Sequence, residues 1–299
     1  MVDRMTTSTL APSRATGASE WALLILPGLI WGASYLFIAE SLQAIAPNGV
    51  TFVRTAVGFA TLSLIPAARR PLPRRDRWKG VALGILWMAF PLSMFPFAEQ
   101  HVSSALTGML SGAVPLFAAA VASILARRSP KRGVAIGLAV GFAGTVLMGL
   151  PGMIAGDTQG APNQSTGVLL ILAALISYGV AINLAQPLQQ RNGALPVVWN
   201  AQAVALLLTA PLGLPEVFRA HWSPTPLAAL LTLGAFGTGI AYVLSAIAAG
   251  RMGATRASTT SFLVPVVALV LGVVFRHEQV AVVSIIGAAV CLTGTWLIR

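Results

Sequence analysis

One basic residue lies well inside an apolar run: Arg54, seven positions beyond Pro47 in PNGVTFVRTAVGFATLSL. At a helical rise of about 1.5 Å per residue it sits about 10 Å below the helix start. A charge at that depth is costly and marks a candidate for function. Two readings stand: the partner of a substrate carboxylate, or a snorkelling side chain that satisfies carbonyls and ties helix ends together. A second group is Gly84, Trp87, Met88, Pro91 and Phe95, at near three-to-four spacing, with Pro91 and Pro96 bracketing Ser93-Met94. Proline removes an amide donor and bends a helix, and the carbonyls it frees are tolerated in a bilayer only against protein or a wet cavity. An aromatic lining with a soft sulfur suits an apolar or aromatic side chain, although ordinary helix packing gives the same stripe. A shift of 150 residues takes this stretch onto Gly234, Gly237, Tyr242 and Ser245.

Hydroxyls and amides recur in other apolar runs: Trp31, Ser34 and Tyr35; Thr107 and Ser111; Ser177, Tyr178 and Asn183; Thr260 and Ser261. In lipid each needs a partner, either another helix or a wet cavity with a bound ammonium or carboxylate; Asn183 leans to the cavity. Trp199, Asn200 and Gln202 form a polar cluster near a membrane end and suggest an interfacial role. Gly133, Gly137 and Gly141, with Gly287 and Gly294, read as close helix packing. No phosphate-binding lysine pattern accompanies Lys79 or Lys131, so ATP-driven transport by this chain alone is not expected. His101, His221 and His277 are far apart at loop ends, and no metal cluster or intramembrane Ser/His/Asp grouping is discernible. Neither cofactor nor catalysis is expected.

The elements that must position these residues are set by composition. Charged residues are 9% of the 299 and hydrophobic ones 56%, with mean hydropathy +0.81. Soluble domains carry about 25% charged residues, so the chain is expected to be an all-α integral membrane protein. A net charge of +11 would point to nucleic acid in a soluble protein; here its distribution matters more, and no nucleic-acid partner is expected. The single Cys291 excludes a disulfide framework. A span needs about 20 apolar residues, and such runs occupy 21–40, 47–68, 78–98, 103–126, 132–150, 167–188, 194–214, 226–248, 255–275 and 279–298. Ten transmembrane helices follow. Residues 1–20 form an N-terminal tail, and 151–166 the linker between the halves. Sixteen of the 19 Lys and Arg fall on one side of this alternation, which predicts that both termini are cytoplasmic and the linker periplasmic.

The chain also repeats itself. Residues 104–148 slide onto 254–298 without a gap, with eleven identities in 45 positions that include Pro115 on Pro265, Gly137 on Gly287 and Gly144-Thr145 on Gly294-Thr295. Five helices per repeat is an odd number, so the second copy enters the membrane from the opposite side. Two inverted five-helix repeats with a site at their interface are a transporter plan.

Trp31-Gly32, Arg54, Pro115, Gly137 and Gly144-Thr145, with Tyr178-Gly179, Pro265, Gly287 and Gly294-Thr295 in the second half, resemble EamA domains. Two of them, at 21–150 and 167–299, are similar to the ten-helix drug/metabolite transporter superfamily. The aromatic third helix most resembles its YddG-type amino-acid exporters. That resemblance implies inner-membrane efflux of amino acids, aromatic and other neutral ones, and related small metabolites. The expected lining is Tyr35, Arg54, Trp87, Pro91, Phe95, Ser111, Tyr178, Asn183, Tyr242 and Ser245, on a monomer or weak dimer in the lipid bilayer. Helices five and ten are expected at the periphery. Broad drug or xenobiotic efflux is the alternative, weakened because Gly28–Ala33 lacks the mid-membrane glutamate of the small multidrug relatives. A membrane scaffold or membrane-embedded enzyme is the alternative of another class.

Overall fold

In hydrocarbon a chain must satisfy its amides within itself, and the apolar runs accordingly fold as helices. The computed structural model describes residues 18–154, 163–252 and 258–298. Helices α1 (Ala18–Ser41) and α2 (Pro47–Ser63) are followed by α3, which runs from Arg77–Leu83 through a π-helical turn, Gly84–Ala89, into Phe90–Ala98. Next, α4 has two parts, Ser104–Ser111 and Val114–Leu125, and α5 is Arg132–Ile154. The second half holds α6 (Gln164–Asn192), α7 (Ala194–Arg219) and α8, built of Pro224–Thr232, the π-helical Leu233–Ile240 and Ala241–Met252. A 3₁₀ turn, Ser258–Phe262, leads into Leu263–Arg276 to make α9, and α10 is Val282–Leu297. Among the described residues there is no strand. Seven of the ten helices are long and apolar enough to cross a membrane, α9 and α10 are shorter apolar helices, and α2 has 17 residues.

The bounds differ from the sequence reading where local chemistry intervenes. Helix α2 stops at Ser63 rather than 68, because Pro66 cannot continue it and instead opens a 3₁₀ turn, Pro66–Ala68. Helix α5 extends to Ile154, and α6 starts at Gln164, where the Asn163 side chain accepts from the Thr166 amide. Both helices therefore enter the stretch expected to be linker. Its remainder, 155–162, and the first 17 residues of the expected tail lie outside the described residues.

The packing pairs respect the repeat. Helix α5 packs on α10, α2 on α7 and α4 on α9; α1 lies on α9 as α6 lies on α4, and α2 meets α8 as α7 meets α3. Exchanging the halves leaves this set of pairs unchanged. The π turns obey the same register, since Gly84–Ala89 shifted by 150 falls inside Leu233–Ile240. Small residues bring α5 and α10 to backbone contact: a Cβ on Gly144 would meet the Cys291 amide, and one on Gly294 the Gly141 amide. Packing at that closeness leaves no lining role for these glycines.

The bundle has two chemically different ends. One gathers Glu40, Glu216 and Glu278: Arg276 pairs with Glu40 and Glu278, and Glu216 accepts from the Gly49 amide at the start of α2. At the other, Asp76 before α3 accepts from Arg191 and Asn192 at the end of α6, and Asn200 holds the Arg70 carbonyl. These are called the carboxylate end and the arginine end below.

Candidate functional site

The site begins with the two π turns. In α3 the Phe90 amide reaches back five residues to the Ile85 carbonyl. In that register the next amide belongs to Pro91, which has none, so the Leu86 carbonyl loses its partner. The Ser177 hydroxyl of α6 replaces it at 2.6 Å. In α8 the Ala241 amide likewise reaches back to Phe236, and Trp31 Nε1 of α1 donates to the Gly237 carbonyl at 3.1 Å. Each broken helix is thus fastened to the first helix of the other repeat. Gly237 permits the approach, since a Cβ there would lie 2.7 Å from Ser34 Oγ.

Six rings fill the junction of α1, α3, α6 and α8. Tyr242 meets Trp31 edge-on at 5.5 Å and Trp87 at 5.6 Å; Phe95 meets Tyr35 at 5.7 Å and stacks on Tyr178 at 6.1 Å. Trp31 and Tyr35 are one helical turn apart on α1, which joins the two sets into one aromatic layer. Toward the arginine end the layer is half-buried at Trp31, Trp87, Tyr178 and Tyr242. Residues 242 to 247 all keep partial exposure, while this part of α8 packs on α1 and α7. Toward the carboxylate end Tyr35, Phe95, Leu106 and Met109 are buried, and the helices close.

Arg54 lies against this layer, only 4% exposed. Its Nε donates to Thr238 Oγ1 at 3.2 Å, while Nη1 is buried without a partner. Tyr35, Tyr178 and Tyr242 surround it closely enough to act on its charge. The arginine is not spent on backbone carbonyls, as a snorkelling role requires. Gly58 lets α8 come this near, because a Cβ there would sit 2.7 Å from Thr238 Cβ.

The sequence-derived lining divides in two. Tyr35, Arg54, Trp87, Phe95, Tyr178 and Tyr242 come together, and Pro91 supports them through the freed carbonyl. The Ser245 hydroxyl, three residues past Tyr242, is buried and unpartnered. Ser111 donates to the Thr107 carbonyl within its own helix and lies beside the Tyr35 phenol. Asn183 goes the other way: its amide donates to the Ala118 and Gly179 carbonyls and fastens α6 to α4. Thr260 of α9 holds the Leu24 carbonyl of α1.

Three buried polar positions beside this layer were not legible beforehand. Gln202, grouped by sequence with the interfacial Trp199 and Asn200, is fully buried and donates to the Thr238 carbonyl behind Arg54, with its own Oε1 unpartnered. Its helical spacing from Trp199 was the available signal, since the two point to different depths. Thr238 carried no signal beyond a hydroxyl in an apolar run. Glu99, just beyond α3, has both carboxyl oxygens buried without a partner. Burial and the Glu278 carboxylate push its carboxyl well above the usual range, against the pull of Arg276 and Arg54.

The chain matches the EamA-like transporter family at residues 19–150 and again at 165–299. It belongs to that family. It is therefore a multi-pass membrane transporter protein carrying two EamA repeats. It is 25% identical to a probable terminal-alkyne amino-acid exporter of Streptantibioticus cattleyicolor, over 93% of this chain and 92% of that one. It is 20% identical to an uncharacterized transporter of Archaeoglobus fulgidus over 93% and 98% of the two chains. The inner membrane transporter YedA of Escherichia coli, itself uncharacterized, is 25% identical over 90% and 87%. A crystal structure 19% identical in sequence superposes with a TM-score of 0.62 over 94% of this chain and 96% of that one, which shows a shared fold.

Proposed function

We propose that this transporter exports amino acids, aromatic and other neutral ones, together with related small metabolites, and is not an enzyme. The observation that carries the reading is the pairing of Arg54 Nη1, a buried donor without a partner, with an aromatic layer at the junction of the two repeats. A guanidinium is the side chain best suited to a planar carboxylate, and ring edges and faces accept an apolar or aromatic side chain. The amino-acid exporter among the relatives favours the same class. The positive-inside tendency sets the arginine end in the cytoplasm, in the inner membrane of a bacterial cell. With five helices per repeat the halves are inverted, and rocking one against the other alternates access. The carboxylate end, tied by Arg276 to Glu40 and Glu278, is then the outer side.

Counterflow of radiolabelled amino acids in proteoliposomes tests this. Neutral and aromatic amino acids are expected to exchange, with aromatic ones weakened in Tyr242→Ala, which removes the ring shared by Trp31 and Trp87. Exchange of cationic drugs without any amino acid would overturn the reading in favour of multidrug efflux.

A further inference from the structure

We propose that Glu99 is the proton-carrying group of a proton–substrate exchange, loaded from the outer side and unloaded toward the inner side. The inference rests on the exporter reading and adds its driving force. Its basis is a cluster of three carboxylates, Glu40, Glu99 and Glu278, around one arginine at the closed end. Arg276 is engaged by Glu40 and Glu278. Glu278 in turn accepts from the Ser104 amide and hydroxyl and the Ala105 amide, which caps the start of α4. Nothing donates to Glu99, although both its oxygens are buried.

The groups that act on Glu99 come from three helices and one turn: Glu278 from the α9–α10 turn, Arg276 from α9, Arg54 from α2 and the Tyr35 phenol from α1. On its own turn His101 contributes an Nδ1 that is also buried and unpartnered. A buried carboxylate without donors, beside another carboxylate, is strongly disfavoured as the anion. The neutral acid removes both penalties. Closing this end therefore binds one proton to a Glu99 oxygen, taken from the water that leaves.

Once the end is closed, the Glu40–Arg276–Glu278 pairs and the α4 cap separate Glu99 from the outside. Tyr35, a member of the aromatic layer, and Arg54 beside it are the groups on the inner side whose charges act on Glu99. Loss of the proton toward the inner side leaves an anion facing Glu278 without donors, and reopening of the outer end relieves it. A proton thus moves inward for each substrate moved outward. The sign follows from linkage: closure is favoured at low external pH and is lost as pH rises from the open-state value toward the raised closed-state value.

Two measurements test this with the full-length protein. In proteoliposomes, a gradient of one pH unit supports about tenfold accumulation for one proton per substrate. Glu99→Gln is expected to retain counterflow at equal pH and to lose gradient-driven accumulation, while Glu99→Asp restores it. Infrared titration of the detergent-purified protein reads the site without transport: the protonated-carboxyl signal at neutral pH is expected in the parent and absent in Glu99→Gln. Gradient-driven accumulation that persists in Glu99→Gln, or a protonated-carboxyl signal unchanged by the substitution, would overturn the proposal. Absence of counterflow in the parent would instead remove the exporter reading, and the infrared result alone would then decide whether Glu99 holds the proton.

Discussion

Replacing Arg54 by glutamine isolates the one interaction on which the proposed substrate class depends. The guanidinium makes a single described hydrogen bond within the protein, Nε to Thr238 Oγ1, and leaves Nη1 free. Thr238 Oγ1 lies 3.5 Å from the Leu233 carbonyl and keeps that acceptor when the arginine is gone. The fold is therefore expected to survive. A hydrogen bond to a charged group contributes about 1.5–3 kcal/mol net, and about 1.4 kcal/mol corresponds to tenfold in affinity. Apparent affinity for an amino acid should fall by about 10- to 100-fold. The decisive control removes the charge from the other partner. Tryptophan and its decarboxylated amine are compared in competition counterflow, on the parent and on Arg54→Gln. The parent should discriminate against the amine by the factor that the variant loses, and the variant should treat the two alike. This double cycle assigns the energy to the Arg54–carboxylate pair rather than to general damage. Equal losses for acid and amine in the variant would refute the reasoning and return Arg54 to a packing role.

Three further substitutions test the packing around the site and at the α5–α10 contact. Ser177→Ala strips the Leu86 carbonyl of its only donor in the π turn and should lower stability by about 1–3 kcal/mol, read as the unfolding midpoint in detergent. Gly144→Leu drives a side chain into the α10 backbone at Cys291 and should cost about 1–3 kcal/mol or more. Gly133→Leu, at a position with no atom within 4 Å of a Cβ, should leave the same midpoint unmoved.

The pair of glycine variants also separates what pattern reveals from what contact decides. Gly133, Gly137 and Gly141 are alike in sequence, yet only the latter two meet other helices: Gly137 the end of α10 at Ile298, and Gly141 the Leu116 side chain. Spacing gives the face of a helix, and the neighbour's position gives its use. The ten apolar runs and the gap-free repeat were legible because hydropathy and helical period are local properties. The paired π turns fall in the same register, since Leu83-Gly84 falls on Leu233-Gly234, but nothing in the sequence pattern announced them. Asn183, Gln202 and Glu99 were misjudged or passed over because their roles depend on partners far along the chain. Asn183 finds the Ala118 carbonyl 65 residues away.

The sequence by itself determined the solvent of this protein, its set of apolar helices and the duplicated plan, because a bilayer enforces apolar length and internally satisfied backbone on every span. Only the tertiary structure decided which polar groups are left unspent. Arg54 lies 184 residues from the threonine that holds its Nε, and Glu278 caps α4 from 174 residues away. Those contacts exist only once the two repeats pack, and they leave Arg54 Nη1 and the Glu99 carboxyl buried without partners. A free buried donor and a free buried acid are costly by themselves, and that cost is the physical ground on which a substrate and a proton are proposed for them.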